Sequence, residues 1–560
     1  MTARKVLYRS CFCVLALLWA ILILSGPLLA ADPPVKNVIV LIMDGCSDEQ
    51  LTLARWYKGE PLALDAIRTG AVKTHTREAV IADSAPAASA YATGVRTGGT
   101  VISLTPQRET SPGAAPGTGD MGLEPRATVL EGARLLGKAT GIVVTSRLGH
   151  ATPAAYMAHA PARDRESDIT EQAVYQNIDV VFGGGRRFLL PANAGGARRD
   201  QEDLTAVLRA RSSSLIDKAD ELQNLKKPKV FGLFAPSHLE PEIDRPQFAP
   251  EQPSLAAMTR KAIELLSQNP KGFFLMVEGS QIDWAGHAND PAHLLRDLLI
   301  FDQAVQIALD FAAKNGQTLV LALPDHNTGG MSIGNRRSDN NYTDIRTEDL
   351  IAPLKKMQLS APGLWRQVGE DKTPEKIKEV VLQYWGIALT QEDAQEILKK
   401  AKLHGKEAHY ALGEVICPKY THLGWTTHGH TGGDVPLFAF GPGRPIGLLD
   451  APDIGWITAA ALGLDLDKLT RRLFVDARQA FPGQAVRLDR SNPDNPVLTI
   501  THQGRQATLP VNKNNLQQGG ETTELEGVVI YISDTDRVFM PLQAVHLIRG
   551  EGKSLPDIRN

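Results

Sequence analysis

A serine directly follows an acid in the segment Asp83-Ser84-Ala85-Pro86, ahead of a run of small residues that ends at Gly94. Proline is favoured in the first turn of a helix, so this segment predicts a helix that begins near Ser84. The free N–H groups of that turn would face the serine and any bound anion. Ser84 is therefore a candidate nucleophile, although serine is also a common N-cap residue without chemical function.

Acids and histidines elsewhere in the chain have the spacing of metal ligands. Asp283 and His287 are four residues apart, so on a helix both side chains would face the same side. The same spacing is also typical of an ordinary exposed ion pair. Asp325 and His326 are neighbours and could share a metal only where a strand ends and the chain turns. Mixed histidine and carboxylate ligands favour zinc.

Further ligand candidates lie in a loop and beside predicted strands. His428 and His430 lie in a loop rich in threonine and glycine, and either could be a metal ligand or an ordinary loop residue. Asp44, Glu278 and the Thr152 hydroxyl offer only oxygen atoms, a set that favours magnesium.

Short apolar runs that do not alternate predict the strands that must position these residues. Helical patterns, including 254–266 and 294–314, lie between several of the runs. The pattern predicts an α/β protein with a large, mostly parallel central sheet and helices on both faces. Ligands bind beyond the carboxyl ends of such strands, where several of the acids and histidines follow. The runs are Val38–Met43, Gly141–Thr145, Val180–Phe182, Phe273–Val277, Thr318–Leu323 and Pro436–Phe440.

The first 31 residues differ from the rest of this 560-residue chain. Arg4, Lys5 and Arg9 precede an apolar run and then small residues, which is the order of a secretory signal peptide. We therefore expect an exported protein, periplasmic or secreted, with membrane attachment only if this segment is retained as an anchor. The formal net charge of −3 does not suggest a nucleic-acid-binding domain.

Three segments are expected after the signal. Residues 32–483 are predicted to form the catalytic domain, interrupted at about 342–412 by a charged helical insertion. Lys399-Lys400 is expected to lie on a solvated face of this insertion. Paired strand patterns in 484–560 predict a small β-rich C-terminal appendage. Two distant cysteines, Cys46 and Cys417, are too few for a disulfide framework and could be free thiols or one long-range disulfide.

Taken together, the motifs between Val38 and Gly443 resemble the alkaline phosphatase family. Each motif is short, but the set, in this order, is specific. The resemblance implies the alkaline phosphatase fold and hydrolysis of phosphate monoesters to an alcohol and inorganic phosphate, through a phosphoserine on Ser84. The motifs are Asp44-Gly45, Asp83-Ser84-Ala85, His150-Ala-Thr152-Pro153, Val277-Glu278-Gly279, Asp283 with His287, Asp325-His326 followed by Thr328-Gly329-Gly330, and His430-Thr-Gly-Gly.

The resemblance also implies two zinc ions and one magnesium ion, each held by three side chains. The implied triads are Asp283, His287 and His430 for one zinc; Asp44, Asp325 and His326 for the zinc that also contacts Ser84; and Asp44, Thr152 and Glu278 for magnesium. Two zinc ions can stabilise the attacking and leaving oxygens of an in-line displacement.

An arginine is expected to bind the substrate. Arg163 stands where the family's substrate-binding arginine is expected, with Arg165 as its near alternative. A guanidinium can bind two phosphate oxygens at once. Asp83 would then orient the loop or Arg163 rather than act as a general base.

Some residues near the implied site differ from those of relatives. His150 and Trp284 stand where some relatives carry aspartate and lysine, which leaves the identity of the third metal open. Together with Asp83 and His428, they are expected to surround the ligands.

Two alternative functions remain at this level. One is a phosphodiesterase or related hydrolase of the same superfamily, and the other is an exported protein that binds phosphate or metal without catalysis. The combination of Ser84, Thr152, Glu278 and Arg163 favours monoesters as substrates. The resemblance further implies a homodimer.

Overall fold

A large sheet organises the computed structural model, which describes residues 35–106, 122–552 and 554–560. The predicted signal peptide at 1–31 lies outside the described residues. In chain order the strands are β1 (Asn37–Ile42), β2 (Arg68–Lys73), β3 (Leu104–Pro106), β4 (Leu123–Pro125), β5 (Ala139–Arg147), β6 (Val180–Gly184), β7 (Ser214–Ile216), β8 (Val230–Leu233), β9 (Phe273–Glu278), β10 (Thr318–Leu323), β11 (Asn327–Thr328), β12 (Met331–Ile333), β13 (Leu423–Trp425), β14 (His430–Thr431), β15 (Val435–Phe440), β16 (Gly447–Asp450), β17 (Val475–Asp476), β18 (Ala485–Asp489), β19 (Val497–His502), β20 (Arg505–Pro510), β21 (Asn515–Gln518), β22 (Glu521–Glu524), β23 (Ile530–Ile532) and β24 (Arg537–Met540).

Helices connect most of these strands. In chain order the α-helices are α1 (Asp48–Lys58), α2 (Ser84–Thr93), α3 (Val129–Leu135), α4 (Ala151–Met157), α5 (Glu166–Tyr175), α6 (Leu204–Ala210), α7 (Arg245–Phe248), α8 (Leu255–Leu266), α9 (Gln281–His287), α10 (Pro291–Asn315), α11 (Thr347–Lys355), α12 (Ala361–Val368), α13 (Pro374–Trp385), α14 (Gln391–His404), α15 (Tyr410–Tyr420), α16 (Ala451–Leu462), α17 (Leu466–Leu473), α18 (Ala477–Ala480) and α19 (Leu542–Arg549). Short 3-10 helices cover Ala63–Ile67, Arg186–Leu189, Ala192–Ala194, Ala219–Asn224, Arg336–Ser338, Tyr342–Asp344 and Gly405–Glu407.

The central sheet has ten strands in the order β16-β2-β15-β10-β1-β9-β5-β6-β8-β7. Every neighbouring pair is parallel except the two that include β15, which runs antiparallel to both β10 and β2. The prediction of a mostly parallel sheet is confirmed, but the prediction that 436–440 is a parallel strand is wrong. A strand buried on both faces is apolar throughout whichever way it runs, so its sequence does not reveal its direction.

Both faces of the sheet are covered by helices. Successive side chains of a strand point to opposite faces. Ile39 and Leu41 of β1 accordingly join one apolar cluster with α8 and α10, whereas Val38 and Val40 join a second with α2 and α16. The interior of β1 is completely buried, which fixes the position of the chain that follows it.

The insertion and the C-terminal segment extend this core. Helices α11 to α15 continue to Tyr420, beyond the predicted end of the insertion, and Trp385 and Ile397 pack in the same cluster as α10. The predicted C-terminal strands are present, and β18 to β22 form an antiparallel sheet. Gln503 and Gly504 both have positive φ in the turn between β19 and β20, as tight hairpins require. The domain boundary at 484 stays a prediction.

The two cysteines of the described chain, Cys46 and Cys417, are both buried free thiols, which resolves the alternative left by the sequence. Among the described residues, no helix has both the length and the apolar character needed to cross a membrane.

Candidate functional site

The proposed ligands come together because three adjacent parallel strands end at one edge of the sheet. β1 lies between β9 and β10. Asp44 follows β1, Glu278 ends β9 and Asp325 follows β10, so three carboxylates meet beyond the carboxyl ends of neighbouring strands.

The first group consists of Asp44, Asp325 and His326, which are completely buried and offer ligand atoms that lie within 4.8 Å of one another. His326 Nε2 is 3.6 Å from Asp44 Oδ1 and 3.3 Å from Asp325 Oδ2. The Ser84 hydroxyl oxygen lies 3.1 Å from the same nitrogen and is also buried. A divalent ion at this point would therefore sit next to a serine hydroxyl.

The second group consists of Asp283 and His287, on successive turns of α9, and His430 of β14. His287 Nε2 is 3.2 Å from both Asp283 Oδ2 and His430 Nε2. The Nδ1 atoms of His287 and His430 contact the carbonyl oxygens of His428 and Ala82, at 2.5 and 2.8 Å. Carbonyl partners of this kind fix the ring tautomer and leave Nε2 free to bind a metal.

The pKa values of Asp283 and His287 show that these two side chains of the second group interact electrostatically. Although burial alone would raise it, the pKa of Asp283 is held well below its usual range by the histidines around it, His287 first. Burial opposes the charged form of His287, but Asp283 raises the pKa of that ring to about 9. The carboxylate is therefore ionised in the neutral pH range, as a metal ligand must be.

The third group contains Asp44, Glu278 and His150, and Thr152 follows His150 by two residues and is also buried. Burial raises the pKa of Asp44 well above its usual value, and the nearby carboxylates of Asp325 and Asp283 add to this. Burial likewise raises the pKa of Glu278 to about 7. Closely spaced buried carboxyl groups resist ionisation unless a positive charge compensates them.

Unpartnered oxygen atoms test whether this donor set fits metal ions. Both carboxylate oxygens of Asp44, Oδ2 of Asp325 and Oε1 of Glu278 are buried and have no hydrogen-bond partner among the described residues. The hydroxyl oxygen of Thr152 is also buried without a hydrogen-bond partner among the described residues. Buried polar atoms in native proteins nearly always have a partner. Cations coordinated by these oxygens would supply it, so the residues fit the implied metals.

Asp83, not Ser84, is the N-cap of α2. The Asp83 carboxylate accepts a hydrogen bond from the backbone N–H of Ala85, and Ser84 is the first helical residue. The N-cap alternative for Ser84 is therefore wrong. Its hydroxyl is left to face His326 at the positive end of the helix.

Arg163 extends toward the same helix end. Its Nη1 donates to both carboxylate oxygens of Asp83 at 2.7 Å, and its Nη2 lies 3.0 Å from His150 Nε2. Arg165 instead pairs with Asp168 at 3.6 Å on the surface. Of the two arginines considered from the sequence, Arg163 is the one that contacts Asp83, the residue before Ser84, and His150.

Two of the expected surrounding residues lie beside the ligand groups without belonging to the three sets proposed above. Trp284 packs its ring against His150 and His238, with centroid distances of 5.5 and 4.1 Å. His428 faces His404 and Glu414, not the group that contains His430. Between the two loop histidines, the geometry therefore favours His430 as the ligand of the second group.

Some residues of the site had no predicted role. The Thr328 hydroxyl donates to Asp283 Oδ1 at 2.5 Å, and the Ser146 hydroxyl donates to Glu278 Oε2 at 3.3 Å. Each hydroxyl lies near the end of a strand that the sequence predicts. This position is the signal by which the sequence could have indicated a role at the site. No sequence feature marks His238, whose ring reaches the site from a distant loop.

The family model for alkaline phosphatase matches residues 35–464. The chain belongs to the alkaline phosphatase family. It is therefore a phosphatase, and membership and fold together support hydrolysis of phosphate monoesters. The matched region ends before β17, so the C-terminal strands lie outside it.

Named relatives agree with this assignment. Alkaline phosphatase 3 of Bacillus subtilis is 35% identical over 73% of this chain and 84% of its own length. The alkaline phosphatase structure from Thermus thermophilus matches with a TM-score of 0.68 and 26% identity, over 77% of this chain and 92% of its own. A structure of alkaline phosphatase from the bacterium TAB5, with one histidine replaced by aspartate and magnesium in its M3 site, matches with a TM-score of 0.53 and 25% identity, over 77% of this chain and 98% of its own.

Replacement of Gly45 by alanine tests how tightly the residues of the first and second groups are held in position. Gly45 has φ +71°, and an added Cβ would lie 2.6 Å from Thr328 Oγ1 and 2.7 Å from Asp283 Oδ1. We expect Gly45→Ala to reduce turnover of an aryl phosphate by about 100-fold, since small misplacements of reacting groups have effects of that size.

Gly59→Ala is the matched control for this prediction. Gly59 also has positive φ, at +79°, but an added Cβ would meet nothing within 4 Å. Both substitutions cost about 1 kcal/mol of backbone strain, whereas only the first crowds Asp283. Equal turnover in the two variants would show that Gly45 does not position the site.

Proposed function

We propose that this phosphatase transfers the phosphoryl group of a phosphate monoester to Ser84 and then to water. The observation that carries the proposal is the Ser84 hydroxyl, 3.1 Å from His326 Nε2, beside buried carboxylate oxygens that have no hydrogen-bond partner in the described chain. The products are an alcohol and inorganic phosphate.

The proposed metals are two zinc ions and one magnesium ion. One zinc is assigned to Asp283, His287 and His430, and the other to Asp44, Asp325 and His326, because each set mixes carboxylate and imidazole. Magnesium is assigned to the oxygen donors of Asp44, Thr152 and Glu278. The TAB5 alkaline phosphatase variant in which one histidine is replaced by aspartate is described with magnesium in its M3 site, which supports a third ion. When bound, the ions supply positive charge that favours an ionised nucleophile and stabilises charge on the transferring phosphoryl group.

The chain's own residues would position the reacting atoms. Arg163 would bind two of the non-bridging phosphate oxygens, and Asp83 would hold its guanidinium in place. The first-turn N–H groups of α2 would add positive potential at the phosphate. Phosphoryl transfer depends mainly on such positioning and charge stabilisation.

Two displacements complete the proposed reaction. In the first, Ser84 Oγ forms a bond to phosphorus while the ester P–O bond breaks, and the alcohol leaves with a proton. In the second, a water oxygen forms a bond to phosphorus while the Oγ–P bond breaks. Ser84 recovers its proton and inorganic phosphate is released.

Export and a homodimer are proposals that rest on the sequence. Residues 1–31 have the pattern of a signal peptide, and the family resemblance supports a dimer. The physiological monoester is a small molecule in this proposal.

Chelation tests the metal requirement of the proposed reaction. We expect the purified protein to release phosphate from an aryl phosphate monoester and to lose most of this activity after chelation. Zinc together with magnesium should restore it, because the proposed ligands include both mixed imidazole–carboxylate sets and a set of oxygen donors. Activity that persists after complete removal of metals would overturn the proposal. Faster hydrolysis of a matched phosphodiester would favour the alternative reaction.

Ser84→Ala tests the nucleophile. The substitution removes one oxygen atom and leaves every proposed metal ligand in place, so turnover should fall by about 10³-fold or more while metal content is unchanged. Trapping of a phosphorylated chain at low pH, followed by mass spectrometry, should succeed with wild type and fail with the variant. Unchanged turnover, or a phosphoryl group on another residue, would refute the role of Ser84.

Arg163→Lys tests the phosphate clamp. Lysine keeps the charge but cannot form two parallel hydrogen bonds, so the inhibition constant for inorganic phosphate should rise by about 10-fold. Arg165→Lys is the matched control, because Arg165 pairs with Asp168 away from Ser84. Equal phosphate affinity in both variants would remove Arg163 from the substrate site.

A further inference from the structure

A further set of candidate metal ligands lies outside the three groups described above. His404 ends α14, Glu414 lies in α15, and His428 lies in the loop before β14. One ligand atom of each lies within 4.8 Å of the others. We propose that these three residues form an additional zinc site that connects the helical insertion to the loop before β14, the strand that contains His430.

The distances suit a tetrahedral ion. His404 Nε2 is 2.9 Å and His428 Nε2 is 3.8 Å from Glu414 Oε2. Ligands at about 2.0–2.1 Å from a tetrahedral ion stand about 3.3–3.5 Å apart, a value between the two observed distances. The longer distance exceeds that of a hydrogen bond, so a direct bond between His428 and Glu414 does not explain their approach.

The non-ligating atoms of two members already have partners. His428 Nδ1 lies 2.7 Å from the carbonyl oxygen of His287 and donates to it, which leaves the Nε2 lone pair for a metal. Glu414 Oε1 accepts from Lys400 at 2.6 Å, which leaves Oε2 toward the histidines. The predicted solvated lysine pair therefore includes a residue that orients the carboxylate.

The rings are also held in place before any ion binds. Tyr410 stacks on His428 with a centroid distance of 5.1 Å and an angle of 15°, and His404 meets His428 edge-on at 5.0 Å. Asn289 donates to the carbonyl oxygen of Thr427, next to His428, at 3.0 Å. A site whose side chains are already oriented loses little conformational entropy when it binds a ligand.

The donor chemistry selects the metal. Two imidazoles and one carboxylate form a zinc ligand set in which water takes the fourth position. The imidazoles disfavour magnesium and calcium, which prefer oxygen ligands. The three side chains are each partly exposed, so an ion can enter from solvent.

The effect of this ion would be to join three segments. His287 and His428 exchange contacts, since each Nδ1 meets the other's carbonyl oxygen. An ion on His428 would therefore restrain α14, α15 and the segment next to the catalytic zinc ligands as one unit. This role needs no turnover at the new site.

Zinc content measures the proposal directly. The full-length protein is loaded with zinc, freed of excess ion by gel filtration, and its zinc per chain is measured by mass spectrometry. His404→Gln and Glu414→Gln should each contain one zinc per chain less than wild type. Lys402→Gln, an exposed neighbour on α14, is the matched control and should keep the wild-type content.

The comparison separates this proposal from the proposed function. The readout is a difference in zinc content, so it does not depend on hydrolysis or on the nucleophile. Equal zinc content in wild type and both variants, with native circular dichroism, would overturn the site. If a variant does not fold, wild-type crystals grown with zinc decide the question at the zinc absorption edge. An anomalous peak between His404, Glu414 and His428 supports the site, and its absence overturns it.

Discussion

Uncompensated negative charge at one edge of the sheet is the constraint on which the rest of the structure depends. Asp44, Glu278 and Asp325 bring carboxylates together in a buried place, and several of their oxygens lack hydrogen-bond partners in the described chain. A protein interior tolerates such a group only if cations or protons neutralise it. Burial favours protonation of Asp44 and Glu278, so stability and metal binding are coupled at this point.

The fold meets this constraint by rigidity. β1 is buried along its interior and lies between β9 and β10, so the three strand ends cannot separate without exposing apolar side chains. Each buried aliphatic side chain contributes about 1.5–3 kcal/mol. The histidines reach the site from less regular elements, and their outer nitrogens are held by carbonyl oxygens. The sheet therefore positions the carboxylates, and backbone contacts orient the imidazoles.

Much of this arrangement can be predicted from the sequence because its signals are local. In the sequence, an apolar run with an acid at its end predicts both the strand and the position of the acid, for β1 and for β9. Direction is not a local property, which is why the antiparallel course of β15 was missed. The choice between His428 and His430 also depends on contacts about 140 positions away in the chain. His404 and Glu414 carry no motif, and only folding brings them to His428.

In the proposed reaction, the contact between Asp83 and Arg163 would affect how quickly the product phosphate leaves the site. The guanidinium is already neutralised by a carboxylate that also begins α2. A bound phosphate would share Arg163 with Asp83 and so would gain less attraction than from a free cation. Inorganic phosphate would leave more readily as a result. Product release limits the turnover of many enzymes, and in the proposed reaction an arginine shared in this way would trade ground-state affinity for faster release.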